Sequence, residues 1–312
     1  MTMKTVAIIG AGRVGASVGY LLHRAGYPVV TVAARTAASA EKAAAFIGAG
    51  EPTIDVVKAA SQADIVFITT SDGAIKNVCD TIAAGGGLKA GSLVVHMFGA
   101  QSLDLLATAR AAGAWRAVIH PLQSVPSPAQ GIKNLPGSYF RTEADAESAA
   151  TAHELVKALG GVELVMAKWS PDKDSAALYH AGAIAVSNYF VALVDYGLQF
   201  YQALGADKQE TLKALLPLIK GTLRNIEALG TTEALTGPIA RGDVETVKGH
   251  LDAMRKRTPE LMGLYKELAK QTVAVARAKG SISQDAADEL LKLMNAECGV
   301  RNKKLFSVSI RE

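Results

Sequence analysis

A glycine-rich turn near the start of the chain carries the clearest chemical signal. The run Gly10-Ala11-Gly12-Arg13-Val14-Gly15 follows a short apolar stretch, Thr5–Ile9, and opens a helical one. In that context Gly10 permits a tight turn, Gly12 lets a pyrophosphate approach the backbone, and Gly15 lets the helix pack against the strand. The N–H groups of the first helical turn, which includes Arg13 and Val14, would face the phosphates. The turn predicts a dinucleotide site; a glycine turn without a ligand is the alternative.

The residues after the second predicted strand indicate which dinucleotide is preferred. NAD sites usually place Asp or Glu here, to accept hydrogen bonds from the ribose 2′-OH. This chain has Arg35 and Thr36 instead, followed by Ser39 and Lys42. A planar cation with neighbouring hydroxyls suits a 2′-phosphate. We therefore expect NADP, as NADPH, to be the cofactor; the alternative is that Arg35 is a solvated surface residue.

Three polar residues follow the strand Ile65–Thr69. Thr70 and Ser71 lie where the carboxyl edge of a parallel sheet meets its ligands, so we expect them to contact the nicotinamide ribose. The next residue, Asp72, suits either a ligand contact or the N-cap of the following helix, and the cap is favoured.

Two histidines end predicted strands at the same edge. His96 follows Val94-Val95, and His120 precedes Pro121 in the run His120-Pro121-Leu122-Gln123-Ser124. A histidine held rigidly at such an edge can bind an anion or carry a proton. The alternative for each is a hydrogen bond that fixes a loop.

A long segment without formal charge carries three further polar candidates. His180, Ser187 and Asn188 lie within Ser175–Val194, and the second and third are seven and eight residues beyond the first. On a continuous helix that spacing puts them on one face. Burying histidine and asparagine among apolar residues requires hydrogen-bond partners. We expect His180 and Asn188 to be catalytic and Ser187 to bind substrate; a satisfied core histidine is the alternative.

Cations and hydroxyls that could bind a substrate carboxylate lie nearer the C-terminus. Arg241 and Thr236 belong to the loop Leu235-Thr236-Gly237-Pro238-Ile239-Ala240-Arg241-Gly242-Asp243, in which Asp243 suits a helix N-cap. Lys220 lies one turn before Arg224 on the preceding helical segment. An arginine can clamp a carboxylate through two hydrogen bonds. We expect Arg241, Thr236 and Lys220 to bind substrate.

The elements that position these residues alternate between strands and helices up to about residue 168. Near-continuous apolar runs are typical of strands buried on both faces, and the segments between them have helical periodicity. We predict an α/β fold in which a doubly wound parallel sheet (residues 1–168) is followed by an all-α domain (residues 169–312). The predicted strands are Thr5–Ile9, Val29–Ala34, Ile65–Thr69, Leu93–Met97, Ala117–Ile119 and Val162–Met166.

Composition limits the classes of partner. The 312 residues carry a net charge of +4 without an arginine-rich block, which argues against nucleic acid. Two distant cysteines, Cys79 and Cys298, exclude a disulfide scaffold and fit a reducing, cytoplasmic location; no metal site is expected.

The uncharged segment Ser175–Val194 is long enough to span a bilayer, but its polar residues favour a covered helix over a membrane. The long C-terminal helices predict a homodimer, and the tail Arg301–Glu312 is expected to be loosely ordered.

Four of these motifs together resemble the Rossmann-like proteins that carry a DUF2520 domain. They are the turn Gly10–Gly15, the run from His120 to Ser124, the segment from Tyr179-His180 to Ser187-Asn188, and the loop Leu235–Asp243. The family is similar to the wider 6-phosphogluconate dehydrogenase-like group, which includes ketopantoate reductases, pyrroline-5-carboxylate reductases and prephenate dehydrogenases. The resemblance implies an N-terminal NAD(P) domain, a helical C-terminal domain and a dimer.

The function that this resemblance implies is reduction by NADPH of a small carboxylate-bearing carbonyl, with 2-dehydropantoate as a candidate, or of an imine. Many relatives place a catalytic lysine four residues before an asparagine, but here Ala177 follows Lys173 at that spacing. His180, helped by Asn188, would then supply the proton. A prephenate-like dehydrogenase that uses His120 and a non-catalytic NADP-binding regulatory protein remain alternatives. A deazaflavin reductase is disfavoured, because that cofactor lacks the 2′-phosphate that Arg35 suits.

Overall fold

The computed structural model describes residues 3–296, so Cys298 and the tail Arg301–Glu312 lie outside the described residues. Contacts divide the chain into two compact units, and the division falls between Tyr189 and Phe190. The sequence places the domain boundary near residue 168, where strands give way to helices. By contacts, residues 169–189 belong to the first unit.

An eight-stranded sheet forms the centre of the first unit, in the order β3-β2-β1-β4-β5-β6-β7-β8. Neighbouring strands are parallel except β6 and β7, which are antiparallel. The strands are β1 (Val6–Ile9), β2 (Val29–Ala33), β3 (Glu51–Thr53), β4 (Ile65–Ile68), β5 (Leu93–His96), β6 (Trp115–Pro121), β7 (Tyr139–Ala144) and β8 (Val162–Glu163).

Helices on the two faces of the sheet make this a doubly wound α/β fold, as predicted. Alternate residues of β1 enter different hydrophobic clusters, with Val6 and Ile8 in one and Ala7 and Ile9 in the other. The described helices of this unit are α1 (Arg13–Arg24), α2 (Ala37–Ile47), α3 (Val56–Ser61), α4 (Ile75–Ala84), α5 (Ala107–Ala111), α6 (Pro128–Asn134), α7 (Ala149–Ala158) and α8 (Lys173–Val186).

Two strands are absent from the prediction, for different physical reasons. β3 is an edge strand with Pro52 at its centre, a residue that cannot donate to a strand ladder. β7 contains Arg141 and Glu143, which give it no apolar run. Its pairing with β6 depends on long-range hydrogen bonds that local periodicity does not reveal.

The second unit is helical throughout its described residues. α9 (Asn188–Gln202) crosses from the first unit into the second, and α10 (Lys208–Glu233), α11 (Val244–Arg257), α12 (Met262–Lys279) and α13 (Gln284–Asn295) follow. The predicted N-cap at Asp243 is confirmed, because its carboxylate accepts a hydrogen bond from the Thr246 N–H at 3.1 Å. Gly230 and Gly280 have positive φ angles, which respectively kink α10 and end α12.

The predicted continuous helix through Ser175–Val194 is divided at Ser187, which ends α8 directly before α9 begins at Asn188. Few side chains of either helix are buried, although the sequence favours a covered helix. Taken together, Lys173–Gln202 spans 30 residues and contains an 18-residue window with a mean hydropathy of 1.4, which by length and composition is enough to cross a membrane. The apolar side chains thus have little cover within one chain.

His96, at the end of β5, fixes the turn that follows this strand. Its Nδ1 accepts a hydrogen bond from the backbone N–H of Phe98 at 3.2 Å. The hydrogen therefore sits on Nε2, which donates to the Ser102 carbonyl oxygen at 3.1 Å. Burial lowers the pKa of His96 from 6.5 to about 4, and the nearby Arg141 cation also lowers it. This arrangement matches the loop-fixing alternative for His96.

We expect His96 to make folding sensitive to acid. Its pKa is lower in the folded chain than in the unfolded one, so stability falls as the pH drops from about 6.5 to about 4. At ~1.4 kcal/mol per pKa unit, the loss from this residue is roughly 3 kcal/mol. Urea unfolding at pH 7 and pH 4 should show a smaller acid-induced loss in His96→Gln than in the wild type.

The matched control is His23→Gln on α1, since no side-chain hydrogen bond of His23 lies among the described residues. This variant should keep the acid sensitivity of the wild type. An equal loss of stability in His96→Gln and wild type would contradict the assignment.

Candidate functional site

The glycine turn after β1 has the geometry that its sequence predicts. Gly10 has a φ of +97°, and a Cβ at this position would lie 2.4 Å from the backbone nitrogen of Thr70. A Cβ on Gly15 would lie 2.3 Å from the Gly10 carbonyl oxygen, so only glycine allows α1 to approach β1 this closely. A Cβ on Gly12 would meet no atom within 4 Å. Gly12 therefore borders open space, where a ligand can contact the backbone.

The N-terminus of α1 is open to an anion. No side chain caps Gly12, and the first turn of the helix contains no acidic residue. The first N–H groups of a helix have no partner within the helix, and they attract negative charge. Thr69, at the end of β4, donates a hydrogen bond from Oγ1 to the Gly10 carbonyl oxygen at 2.9 Å, which ties this turn to the neighbouring strand.

Arg35 follows β2 at the same edge of the sheet. Its side chain is exposed, and no hydrogen bond or ion pair of this residue lies among the described residues. Thr36 instead caps α2, because its hydroxyl accepts a hydrogen bond from the Ser39 N–H at 3.2 Å and donates one to Ser39 Oγ at 2.8 Å. Among the residues predicted to bind the 2′-phosphate, Arg35 and Lys42 are thus the cations whose side chains are uncommitted among the described residues.

The residues after β4 lie at the carboxyl edge of the sheet, as predicted, but the predicted N-cap role of Asp72 is wrong. Ser71 is exposed and Thr70 is half-buried. Asp72 caps no helix: it begins a short 3₁₀ turn, Asp72–Ala74, and α4 starts only at Ile75. The carboxyl group of Asp72 instead interacts with His180. Its pKa is raised by burial, and His180 opposes the rise.

A buried cluster of polar and aromatic side chains lies at the carboxyl ends of β5 and β6. Antiparallel register places Arg141 of β7 directly opposite His120 of β6. Tyr179 of α8 reaches this pair, and its hydroxyl oxygen lies 3.0 Å from Nδ1 of His120. The His120 ring packs over Gly99, where a Cβ would lie 2.6 Å from Nε2. Elements far apart in sequence thus converge on one imidazole.

Arg141 is the buried cation of this cluster. Its side chain is only 1% exposed, and its guanidinium donates to the Gln101 carbonyl oxygen at 2.7 Å and to Glu143 at 3.3 Å. It also lies over the rings of Trp169 and Tyr179, at 4.8 and 5.4 Å from their centroids. Arg141 Nε and Trp169 Nε1 are buried and have no hydrogen-bond partner among the described residues. Such donors are costly to leave unpaired.

His180 contacts the cluster through its ring. It packs edge-on against Phe98 and His120, with centroid separations of 5.9 Å to each. No hydrogen bond of His180 lies among the described residues. The structure thus brings two predicted histidines, His120 and His180, into contact.

The electrostatics of the cluster keep His120 neutral. Its pKa falls from 6.5 to about 3, first because it is buried and then because of Arg141, His180 and His96. Burial raises the pKa of Tyr179 to about 12, with Arg141 opposing the rise. At neutral pH, His120 therefore lacks its second proton and Tyr179 keeps its own.

Ser187 and Asn188 lie away from this cluster of contacts. Ser187 Oγ donates to the Ala183 carbonyl oxygen at 2.7 Å and bonds Asn188 Oδ1 at 2.9 Å, and both residues are exposed. Their side-chain hydrogen bonds are to each other and to Ala183, and none reaches His180. Their catalytic and substrate-binding roles stay predictions.

The remaining residues that the sequence predicts to bind substrate belong to the second unit. Arg241, Thr236 and Lys220 have exposed side chains, and no side-chain hydrogen bond or ion pair of theirs lies among the described residues. Arg241 ends a 3₁₀ turn, Ile239–Arg241, and Lys220 lies on α10. Their roles also stay predictions.

Sequence reasoning missed Tyr179, Arg141, Glu143 and Trp169 as site residues. The sequence contained a signal for Tyr179 as a site residue, since it directly precedes His180 in the uncharged segment. Arg141 had none, because a charged residue usually indicates a solvated surface. Its burial depends on the Gln101 carbonyl oxygen and the Glu143 carboxylate, which accept its hydrogen bonds.

Comparisons with known proteins agree with this architecture. The Rossmann-like domain family matches residues 2–121, and DUF2520, a domain of unknown function, matches residues 138–272. No curated protein matches the chain.

Solved structures share the fold over most of the chain. One from Bacteroides fragilis, provisionally described as an NADP oxidoreductase, is 22% identical, with a TM-score of 0.69 over 87% of this chain and 98% of that one. Protein TM1727 from Thermotoga maritima is 25% identical, with a TM-score of 0.63 over 88% and 99%. A reductive aminase from Aspergillus terreus, in complex with NADPH, is 19% identical, with a TM-score of 0.56 over 94% and 93%.

The two domain families match different parts of the chain, in the order that the motifs predict. The first contains the glycine turn and His120, and the second contains Arg141, Tyr179 and His180. The chain therefore joins a Rossmann-like domain to a DUF2520 domain.

Proposed function

We propose that the protein is an NADPH-dependent oxidoreductase that reduces a small carboxylate-bearing carbonyl compound or an imine, with 2-dehydropantoate as a candidate substrate. One observation carries this proposal. The open glycine turn after β1 and the His120–Tyr179–Arg141 cluster after β6 both lie at the carboxyl edge of one sheet, which is where ligands of such folds bind.

The residues at this edge fit NADPH. The turn Gly10–Gly15 presents backbone N–H groups beside the open space at Gly12, which suits the pyrophosphate. Arg35 has a free guanidinium for the 2′-phosphate, and Thr70 and Ser71 lie where the nicotinamide ribose is expected. The bound cofactor would supply a hydride. The Aspergillus terreus reductive aminase, which shares this fold, was solved with NADPH.

The cluster after β6 fits a polar, electrophilic substrate. The unpartnered N–H groups of Arg141 and Trp169 favour a molecule with acceptor oxygens, such as a carboxylate. His120, His180 and Tyr179 surround the same region with groups that can hold or transfer a proton. The aromatic rings of Phe98 and Trp169 help to keep water away, which strengthens electrostatic interactions there.

A second candidate function is oxidation of a hydroxy acid by NADP⁺, for which the ring of His120 lies in the same cluster. In that direction His120 would have to take up the proton of the alcohol, which burial and the Arg141 cation disfavour. The two candidates use the same residues in opposite directions.

The function is tested by following NADPH absorbance with a panel of 2-ketoacids and cyclic imines, 2-ketopantoate included. We expect oxidation of NADPH with at least one of these compounds. Hydroxy acids with NADP⁺ form the second arm, and turnover only in that arm would favour the dehydrogenase. Tight NADPH binding without turnover in either arm would contradict both and indicate a regulatory protein.

Arg35 should determine the preference for NADPH over NADH. Loss of a charge-assisted hydrogen bond of about 1.5–3 kcal/mol corresponds to a roughly 10- to 100-fold weaker affinity. Arg35→Ala should therefore raise the Kd of NADPH by that factor and change the Kd of NADH little, as measured by calorimetry. Arg24→Ala, which removes an exposed cation at the other end of α1, is the control. An unchanged Kd of NADPH in Arg35→Ala would contradict the proposal that Arg35 binds the 2′-phosphate.

We also propose that a second copy of the chain covers the apolar surface of α9 and α10, as the predicted homodimer requires. Val191 is 70% and Leu218 is 67% exposed, and large apolar patches on a protein indicate an interface. Lys213, Lys220, Arg224 and Glu227 are interspersed on α10, which favours a protein partner over lipid. The same two helices and the segment between them carry further exposed apolar residues, among them Leu193, Tyr201, Leu204, Leu216, Leu223, Ile226 and Leu229.

A charge placed on this surface should dissociate the dimer. We expect the wild type to show twice the chain mass of 32.5 kDa in light-scattering chromatography, and Leu218→Glu to shift toward the monomer. Ile54→Glu, at a residue that is 64% exposed outside these helices, should remain dimeric. A monomeric wild type that co-sediments with phosphatidylcholine vesicles would overturn the proposal in favour of a membrane surface.

A further inference from the structure

The hydrogen bond between His120 and Tyr179 can be made in two ways. Either the Tyr179 hydroxyl donates to Nδ1, or Nδ1–H donates to the Tyr179 oxygen, over the same 3.0 Å. A hydrogen on Nε2 would have no acceptor among the described residues, whereas a hydrogen on Nδ1 has the Tyr179 oxygen. Each arrangement leaves one donor without an acceptor among the described residues, Nε2–H in the first and the Tyr179 hydroxyl in the second, and only the second leaves the hydroxyl proton available to a ligand. The hydroxyl hydrogen of Tyr179 is then free to point elsewhere.

Arg141 favours the anionic form of Tyr179. Its guanidinium lies 5.4 Å from the centroid of the Tyr179 ring, and it is fixed there by the Gln101 carbonyl oxygen and Glu143. Negative charge that develops on the phenolic oxygen would meet the Nδ1–H of His120 on one side and this cation nearby. Both groups are in place before any reaction, so no rearrangement is needed to stabilise the charge.

The protonation states of the cluster make Tyr179 a better acid than His120. His120 has a pKa of about 3, so it carries no second proton to donate at neutral pH. Tyr179, with a pKa of about 12, keeps its proton in the absence of substrate. His180 forms no hydrogen bond among the described residues and contacts the cluster only through its ring, whereas Tyr179 is held by its hydroxyl oxygen.

We propose that Tyr179 is the catalytic proton donor of the reduction, with His120 as a positioning residue that holds the Tyr179 oxygen through Nδ1–H and Arg141 as the cation that stabilises the resulting phenolate. This inference rests on the proposed function, since it names the proton source for the same site. It replaces His180, the donor expected from the sequence, in that role.

The step balances in atoms and electrons. The substrate carbon gains a hydride, with its two electrons, from the reduced nicotinamide, and the π pair of the C=O or C=N bond moves to oxygen or nitrogen. That atom forms a bond to the proton of Tyr179 as the phenolic O–H bond breaks. The substrate is reduced, NADPH is oxidised, and the phenolate regains a proton from water.

Steady-state kinetics test the donor. Tyr179→Phe keeps the ring that packs on His120 and Arg141 and removes only the hydroxyl, so the variant should fold. We expect kcat to fall about 100-fold or more, as for loss of a general acid, with KM and the Kd of NADPH within about threefold of wild type. Tyr139→Phe is the matched control, since Tyr139 is 52% exposed and no hydrogen bond of its hydroxyl lies among the described residues. A loss below threefold in Tyr179→Phe would overturn the proposal.

A conservative replacement tests the positioning role of His120. An asparagine amide can place an N–H near the position of Nδ1, so His120→Asn should retain several-fold more kcat than His120→Ala. Equal activity of the two variants would contradict the role of Nδ1–H.

The tautomer of His120 provides a readout that does not depend on turnover. Carbon and nitrogen chemical shifts of the imidazole in the ligand-free protein should show hydrogen on Nδ1, and Tyr179→Phe should alter them. Hydrogen on Nε2 alone would overturn the arrangement. If the wild type turns over none of the panel, the proposed function fails and this inference fails with it. If only the Tyr179 and His120 results fail, the proposed function stands.

Discussion

Parallel strands that pair side by side end at the same edge of a sheet, and this constraint positions the candidate site. The strands β1, β2, β4, β5 and β6 are consecutive neighbours or near neighbours in one parallel array. Their carboxyl ends lead into Gly10, Arg35, Thr70, Phe98 and His120, respectively. Hydrogen bonding between backbones thus gathers residues that are up to about a hundred positions apart in the chain, before any side chain makes a contact.

The antiparallel strand β7 adds the feature that controls the electrostatics. It delivers Arg141 beside His120, and a buried guanidinium must be compensated because its desolvation is costly. Glu143 and the Gln101 carbonyl oxygen provide that compensation. Together with burial, the retained positive charge disfavours a second proton on His96 or His120. Both histidines are therefore neutral at neutral pH, and the contacts they make are hydrogen bonds and ring packing.

The two units differ in how completely they bury their apolar residues. In the first unit the central strands are buried, and β1 and β4 have no exposed residue. In the second unit, α12 and α13 form a core with α11, whereas α9 and α10 leave many apolar side chains exposed. An exposed apolar surface of this size is costly in water. That cost is the physical basis of the proposed dimer.

The sequence by itself determined the features that depend on local conformation. The positive φ at Gly10, the cap at Asp243 and the helix stop at Gly280 follow from residue type, and periodicity predicts most strands and helices. Tertiary structure alone decided the pairing of β7 with β6, the burial of Arg141 and the contact of Tyr179 with His120. Local propensity does not predict these features, because each depends on partners that lie 20 to 60 positions away in the chain. Each contact lowers the free energy of the folded chain only once those partners are in place.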